Sequence, residues 1–207
     1  SGTSINIKLS ELFSNSEILR YSIFDDATGI RRTTSANIGS TATTSLTGNI
    51  STKFTPKWTT NINLGLKYVF LKNKFDNLHK NQGLGGSVFI YSGYEIVKKL
   101  NVFANGGYWL NPVTLQGRTR ANIWYSAGVS YRILKDKLNI SLQAINFLSK
   151  YRTWYSISED ENFSAYSESQ NVMRTVGLSL NWNFGKLSEN VSKKRGVNND
   201  DLKAKDQ

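Results

Sequence analysis

The stretch "TVGLSLNWNFGK", residues 175–186, constrains the fold more than any other part of the chain. From Thr175 to Phe184 every second residue is apolar: Val176, Leu178, Leu180, Trp182 and Phe184. Between them stand only Thr175, Gly177, Ser179, Asn181 and Asn183. Successive side chains on a strand point to opposite faces, so a two-residue period specifies a β-strand with one apolar and one polar face. Either a protein core or lipid must cover the apolar face.

The same alternation recurs upstream. Ile62, Leu64, Leu66, Tyr68 and Phe70 share one parity, and so do Ile123, Tyr125, Ala127, Val129, Tyr131 and Ile133. Leu138, Ile140, Leu142 and Ala144 follow the pattern, as do Leu100, Val102, Ala104, Tyr108 and Leu110. Leu46, Ile50 and Phe54 give a weaker version, and residues 86–96 carry apolar side chains on both parities. Residues 5–24 read as a strand kinked at "SNS". The count is about eight strands, most of them longer than the usual five or six residues.

Connections divide into two kinds. "TPKW" (55–58), "VKKL" (97–100) and "LKDK" (134–137) are tight turns. Residues 25–35, 72–83, 111–122 and 149–171 are long polar loops. Short and long alternate, which collects every tight turn at one end of the sheet. Transmembrane barrels show this asymmetry.

Composition permits that reading. The chain has 207 residues, 12% aromatic, with 16 Gly, two Pro and no Cys. Mean hydropathy is −0.40, and no run approaches the ~18 apolar residues of a membrane helix. Barrel strands hide their apolar content in alternation, so these values exclude a helical membrane protein and leave a barrel open. The absence of Cys removes disulfides and thiolate metal sites. A net charge of +11 is spread over turns and loops with no nucleic-acid-binding motif. An anionic membrane surface suits it equally well.

Aromatic placement separates lipid from core. Phe54, Trp58, Tyr94, Tyr131, Trp182 and Phe184 fall near the tight-turn end. Tyr68, Phe70, Tyr108, Trp109, Trp124, Tyr125 and Phe147 fall near the long-loop end. Two aromatic belts flanking a middle of Leu, Val, Ile, Ala and Gly describe interfacial girdles, whereas a soluble sandwich gathers its rings mid-strand. The polar parity then faces a wet or plugged interior. The expected fold is therefore all-β, an antiparallel transmembrane β-barrel wall of about eight long strands. It occupies residues 1–185, and a charged, disordered tail follows at 186–207.

The ending "GLSLNWNFGK" followed by "KKRGVNNDDLK", together with "DDATGIRRTTSANIG" at 25–39, resembles the C-terminal barrel portion of Bacteroidota TonB-dependent receptors. The resemblance covers the whole chain with degenerate motifs. It implies one part of a larger barrel in the outer membrane, completed by further strands and a plug domain. It also implies an energising TonB-type partner that acts through the plug, and contact with lipopolysaccharide. A terminal strand ending in an aromatic implies recognition by the barrel insertion machinery, through Leu180, Trp182 and Phe184.

Catalytic signatures are missing. His79 is the only histidine, so zinc sites and His-based triads lack their partners. "EDE" at 159–161 lacks the spacing of a calcium loop, and "GLGG" and "NGG" do not open helices. Neither a cofactor nor enzymatic activity is expected. Tyr151, Trp154 and Tyr155, with Phe163 and Tyr166, could contact a ligand from a long loop or pack the loop on itself. The favoured reading is uptake of an unidentified ligand. The alternatives are a complete eight-stranded barrel with a structural, adhesive or pore role, and a soluble propeller or sandwich.

Overall fold

A computed structural model of the chain describes residues 2–75 and 79–184; the expected tail lies outside them. Eleven strands are present among these residues: β1 (Gly2–Asp25), β2 (Ile30–Thr55), β3 (Trp58–Asn73), β4 (Lys80–Val97), β5 (Leu100–Leu110), β6 (Gly117–Thr119), β7 (Asn122–Ile133), β8 (Leu138–Ile145), β9 (Tyr151–Asp160), β10 (Phe163–Val172) and β11 (Thr175–Trp182). Eight form one antiparallel sheet in the order β1-β2-β3-β4-β5-β7-β8-β11. Strands β10, β9 and β6 form a second, smaller sheet. The eight-stranded expectation holds for the main sheet. The second sheet occupies segments read above as plain loops.

Register explains why the alternation matters. In antiparallel pairs, directly opposed residues project to the same face. One row runs Ile5, Ile50, Ile62, Ile90 across four strands, and another runs Trp58, Tyr94, Val102, Val129, Leu142, Leu178. The opposite face carries the row Asn6, Asn49, Asn63 and the row Ser51, Asn61, Tyr91, Asn105, Ser126. Every alternating segment thus adds its apolar residues to one continuous face.

That face is not packed. On β11, Leu178 is 68% exposed and Leu180 65%. On β7 the apolar Ile123 is 61% exposed, whereas Ser126 of the polar parity is 2% exposed. The polar face is therefore the sheltered, concave one. The alternative soluble folds would require the reverse.

Tight turns fall where the sequence places them, at one end. Lys99 (φ 74°) and the run Leu134, Lys135 and Asp136 (φ 52°, 55° and 69°) take left-handed backbone, which reverses the chain within a few residues. The Lys99 Nζ lies 3.6 Å from Asp136 Oδ1 and ties neighbouring turns together. The kink expected at "SNS" is a register shift between Ser14 and Glu17 of β1. A second shift follows at once, and past it β1 and β2 continue as a hairpin closed by Asp25 and Gly29.

The small apolar core sits at the long-loop end. Leu19, Val69, Leu71 and Leu115 are buried together, with Tyr21, Ile38 and Val113 against them. Val69 and Leu71 belong to the inner face of β3. The segment after β5 folds inward over them, and Val113 and Pro112 lie against the inner-face glycines Gly83 and Gly85. A Cβ on Gly85 would meet the Pro112 ring and backbone at under 3 Å, so glycine lets the loop seat there.

Candidate functional site

The sheltered inner face and the loop sheet at its mouth hold most of the chain's polar chemistry. Along the wall, Asn49 Nδ2 donates to Asn63 Oδ1 at 2.6 Å. Gln143 Nε2 donates to Ser126 Oγ at 2.8 Å, and that hydroxyl donates in turn to Asn105 Oδ1. Amides and hydroxyls bonded to one another lose less on leaving bulk water than isolated ones. A lining of this kind suits a wet or plugged interior.

Rings interrupt the polar wall. Trp124 lies tilted against Phe89 with centroids 5.5 Å apart, and Tyr91 stacks on Phe103 at 6.5 Å. Height along the strands places Trp109 and Trp124 in the outer belt. Their register with Asn122, Ser87 and Gly107 instead sets them on the inner parity. Alternation within "GGYWL" and "NIWYS" sends Tyr108 and Tyr125 outward and each neighbouring Trp inward.

The remaining belt residues occupy the outer parity or the turns. Trp58 and Phe54 are paired rings 4.8 Å apart beside a tight turn, and Trp58 Nε1 donates to Ser92 Oγ at 2.9 Å. Tyr94 opposes Trp58, and Tyr131 opposes both Leu100 and Ile140. Tyr68, Phe70 and Tyr108 share the outer face near the long loops, and Tyr125 meets Phe147 edge to face at 5.2 Å. Trp182 and Phe184 stack at 4.7 Å at the end of β11, with Leu180 opposite Ile140.

Three long loops meet at the mouth. Gln116 is their junction: its side chain accepts from the Ser22 backbone N–H at 2.6 Å and donates to the Ser22 carbonyl at 2.9 Å. It thereby imitates a strand partner on the free edge of β1. Its amide also donates to Asp160 Oδ2, while His79 Nε2 lies 2.9 Å from Asp160 Oδ1. The surrounding cavity, about 290 Å³, is lined by Tyr21, Ile38, Leu115 and Phe163 among others.

The aromatic loop residues Tyr151, Trp154 and Tyr155 all lie on β9. Trp154 packs on Trp109 at 5.5 Å, and the Arg152 guanidinium sits over both rings at 5.7 and 5.9 Å. Burial pushes the Arg152 pKa down, and its Nε is enclosed with no hydrogen-bond partner. Cation–π contact with two rings compensates the lost hydration. Tyr155 projects to the other face of β9, 6.1 Å from Tyr166 and beneath Arg120 at 4.7 Å. Tyr151 is half exposed beside Lys150. The loop therefore packs on the wall through Trp154 and leaves Tyr151 accessible.

Residues the sequence reading passed over complete the region. Gln116, Arg118, Thr119 and Asn146 had no motif to mark them. Asn146 takes left-handed backbone (φ 46°), and its N–H donates to the Tyr125 carbonyl at 2.8 Å. Among the described residues no group of three or more metal-binding side chains occurs.

Residues 1–182 match the model of the Outer membrane protein beta-barrel family, and the chain belongs to that family. Its location is accordingly the outer membrane. No curated protein and no solved structure matches the chain.

Proposed function

We propose that this outer-membrane β-barrel protein forms part of the wall of a TonB-dependent receptor-type barrel that takes up a ligand through its loops. The observation carrying the reading is the open sheet. Strands β1 and β11 are its two edges, and among the described residues neither has a second partner. Bare strand edges are not tolerated in hydrocarbon, where each unpaired backbone group costs several kcal/mol. Further strands of a larger wall would cover both edges. The inward-folded segment after β5 and the ring-bearing β9 narrow the mouth, as a ligand-capturing entrance requires.

A plug within the lumen and an energised periplasmic partner complete the proposed mechanism. Ligand capture needs no bond making, so the chain acts without a cofactor or catalytic residue. The outer rings Phe54, Trp58, Tyr68, Phe70, Tyr94, Tyr108, Tyr125 and Tyr131 serve as interfacial girdles against lipid and lipopolysaccharide. Trp182 and Phe184, with Leu180, serve as the element read by the insertion machinery.

The second reading is a complete eight-stranded barrel with a structural, adhesive or pore role, in which the two edge strands β1 and β11 of the eight-stranded sheet pair with each other. Heat-modifiable migration of this chain refolded in detergent decides between them. A wall segment migrates alike before and after boiling. A shifted, compact band before boiling overturns the larger-barrel reading and leaves the self-closed one.

A further inference from the structure

We propose that the cleft between the loop sheet and the β1–β2 hairpin binds a phosphate-type oxyanion. The cleft has a volume of about 330 Å³ and is lined by Arg20, Arg31 and Arg118, contributed by β1, β2 and β6. No carboxylate lines it. Among the described residues, none of the three guanidiniums has an acidic partner within ion-pair distance. Three cations converging on one concavity repel each other and draw in a counter-ion. The planar fork of arginine matches the oxygens of a phosphate.

Neutral groups in the cleft point the same way. Ser22, Thr33, Thr114, Ser156 and Ser158 offer hydroxyls around the cations. Beside them the Thr119 Oγ1 is enclosed and has no hydrogen-bond partner. An enclosed hydroxyl without a partner carries an unrecovered desolvation cost. Thr119 lines this cleft and also a neighbouring cavity of about 290 Å³, which shares Arg118 and Ile157 and brings in Arg120 and Tyr155. An oxyanion in the cleft neutralises the guanidiniums.

Size bounds the ligand. The volume lies at the lower end of small-ligand pockets, ~300–1,000 Å³, which suits a phosphate ester about as large as a monosaccharide phosphate. The tyrosines Tyr21 and Tyr166 on the lining provide flat faces for its uncharged part. The phosphate can come from a soluble ester or from a phosphorylated glycolipid in the surrounding leaflet. The site does not depend on the uptake reading.

The test uses the full chain purified from outer membranes in detergent. Titration calorimetry with glucose 6-phosphate is run against glucose as the uncharged control, and co-sedimentation compares lipopolysaccharide before and after enzymatic dephosphorylation. The expected result is binding of a phosphorylated probe, absent for its unphosphorylated counterpart. Arg31→Gln and Arg118→Gln should each weaken it roughly tenfold, and Arg118→Lys by less, because charge is kept while the fork is lost. Arg20→Gln, at an exposed position of β1, gives the same readout should a β6 variant misfold. Binding of glucose 6-phosphate assigns the soluble source, and binding of phosphorylated lipopolysaccharide alone assigns the glycolipid. Failure of both probes, or affinity unchanged in all the arginine variants, overturns the proposal.

Discussion

Ile62 and Asn61 are adjacent on β3, at the same height in the wall and on opposite faces, so replacing each with arginine isolates the medium on each side. Trp58 and Tyr68 bracket them ten residues apart on that strand. At about 3.3 Å per residue and a tilt near 45°, that spacing spans roughly 23 Å of height, close to the ~25 Å apolar band of barrels. Ile62 is thus near the bilayer midplane, where a lipid-facing arginine costs about 2–4 kcal/mol. Ile62→Arg should therefore lower the folding equilibrium constant roughly 30- to 900-fold, at 1.36 kcal/mol per factor of ten. Asn61→Arg enters the polar lining and should shift it by less than about 1 kcal/mol. The assay is urea-dependent unfolding of the whole barrel that contains this wall, in phosphatidylcholine vesicles, followed by tryptophan fluorescence. Equal losses, or a larger loss for Asn61→Arg, would mean that protein rather than lipid covers the Ile62 face.

Three further outcomes follow from single contacts. Gly107→Ala puts a Cβ into the Trp124 indole, so overpacking should cost about 1–3 kcal/mol in the same unfolding assay; an unchanged midpoint would show that the indole moves freely. Gln116→Ala removes two hydrogen bonds to the Ser22 backbone and one to Asp160, each worth about 0.5–1.5 kcal/mol. Faster hydrogen exchange at the Ser22 amide and new protease cleavage within residues 111–122 should result. Asp25 accepts from Thr28 and from the Ala27 amide, and these bonds hold its pKa below the ordinary 3.8. The hairpin tip gains stability from it above the ordinary value and loses that contribution as pH falls through the lowered one; a carboxyl NMR titration with a midpoint at or above 3.8 contradicts this.

Legibility differed by scale. The strands, their shared apolar face and the tight-turn end were readable because alternation, turn chemistry and loop length are local properties of the chain. Even the irregularity at "SNS" left a trace, since Ser and Asn interrupt the period there. The sheet β6-β9-β10 was not readable. Its three strands lie in polar segments with weak periodicity, and β6 comprises only Gly117–Thr119, too short to carry a period at all. The inward turn of Trp109 and Trp124 is legible in the alternation of their strands, whereas height along the strand does not carry it.

By itself the sequence determined which side of each ribbon is oily and which end bears the loops, since period and turn placement belong to single strands and their connections. Tertiary structure alone decided what the loops do. Arg20 and Arg31 share the β1–β2 hairpin, whereas Arg118 lies far along the chain on β6, and only the folding of the β5–β7 connection into the mouth brings it to their cleft. Loop closure of that kind leaves no periodic signature, because it depends on a few side-chain bonds such as those of Gln116 to Ser22.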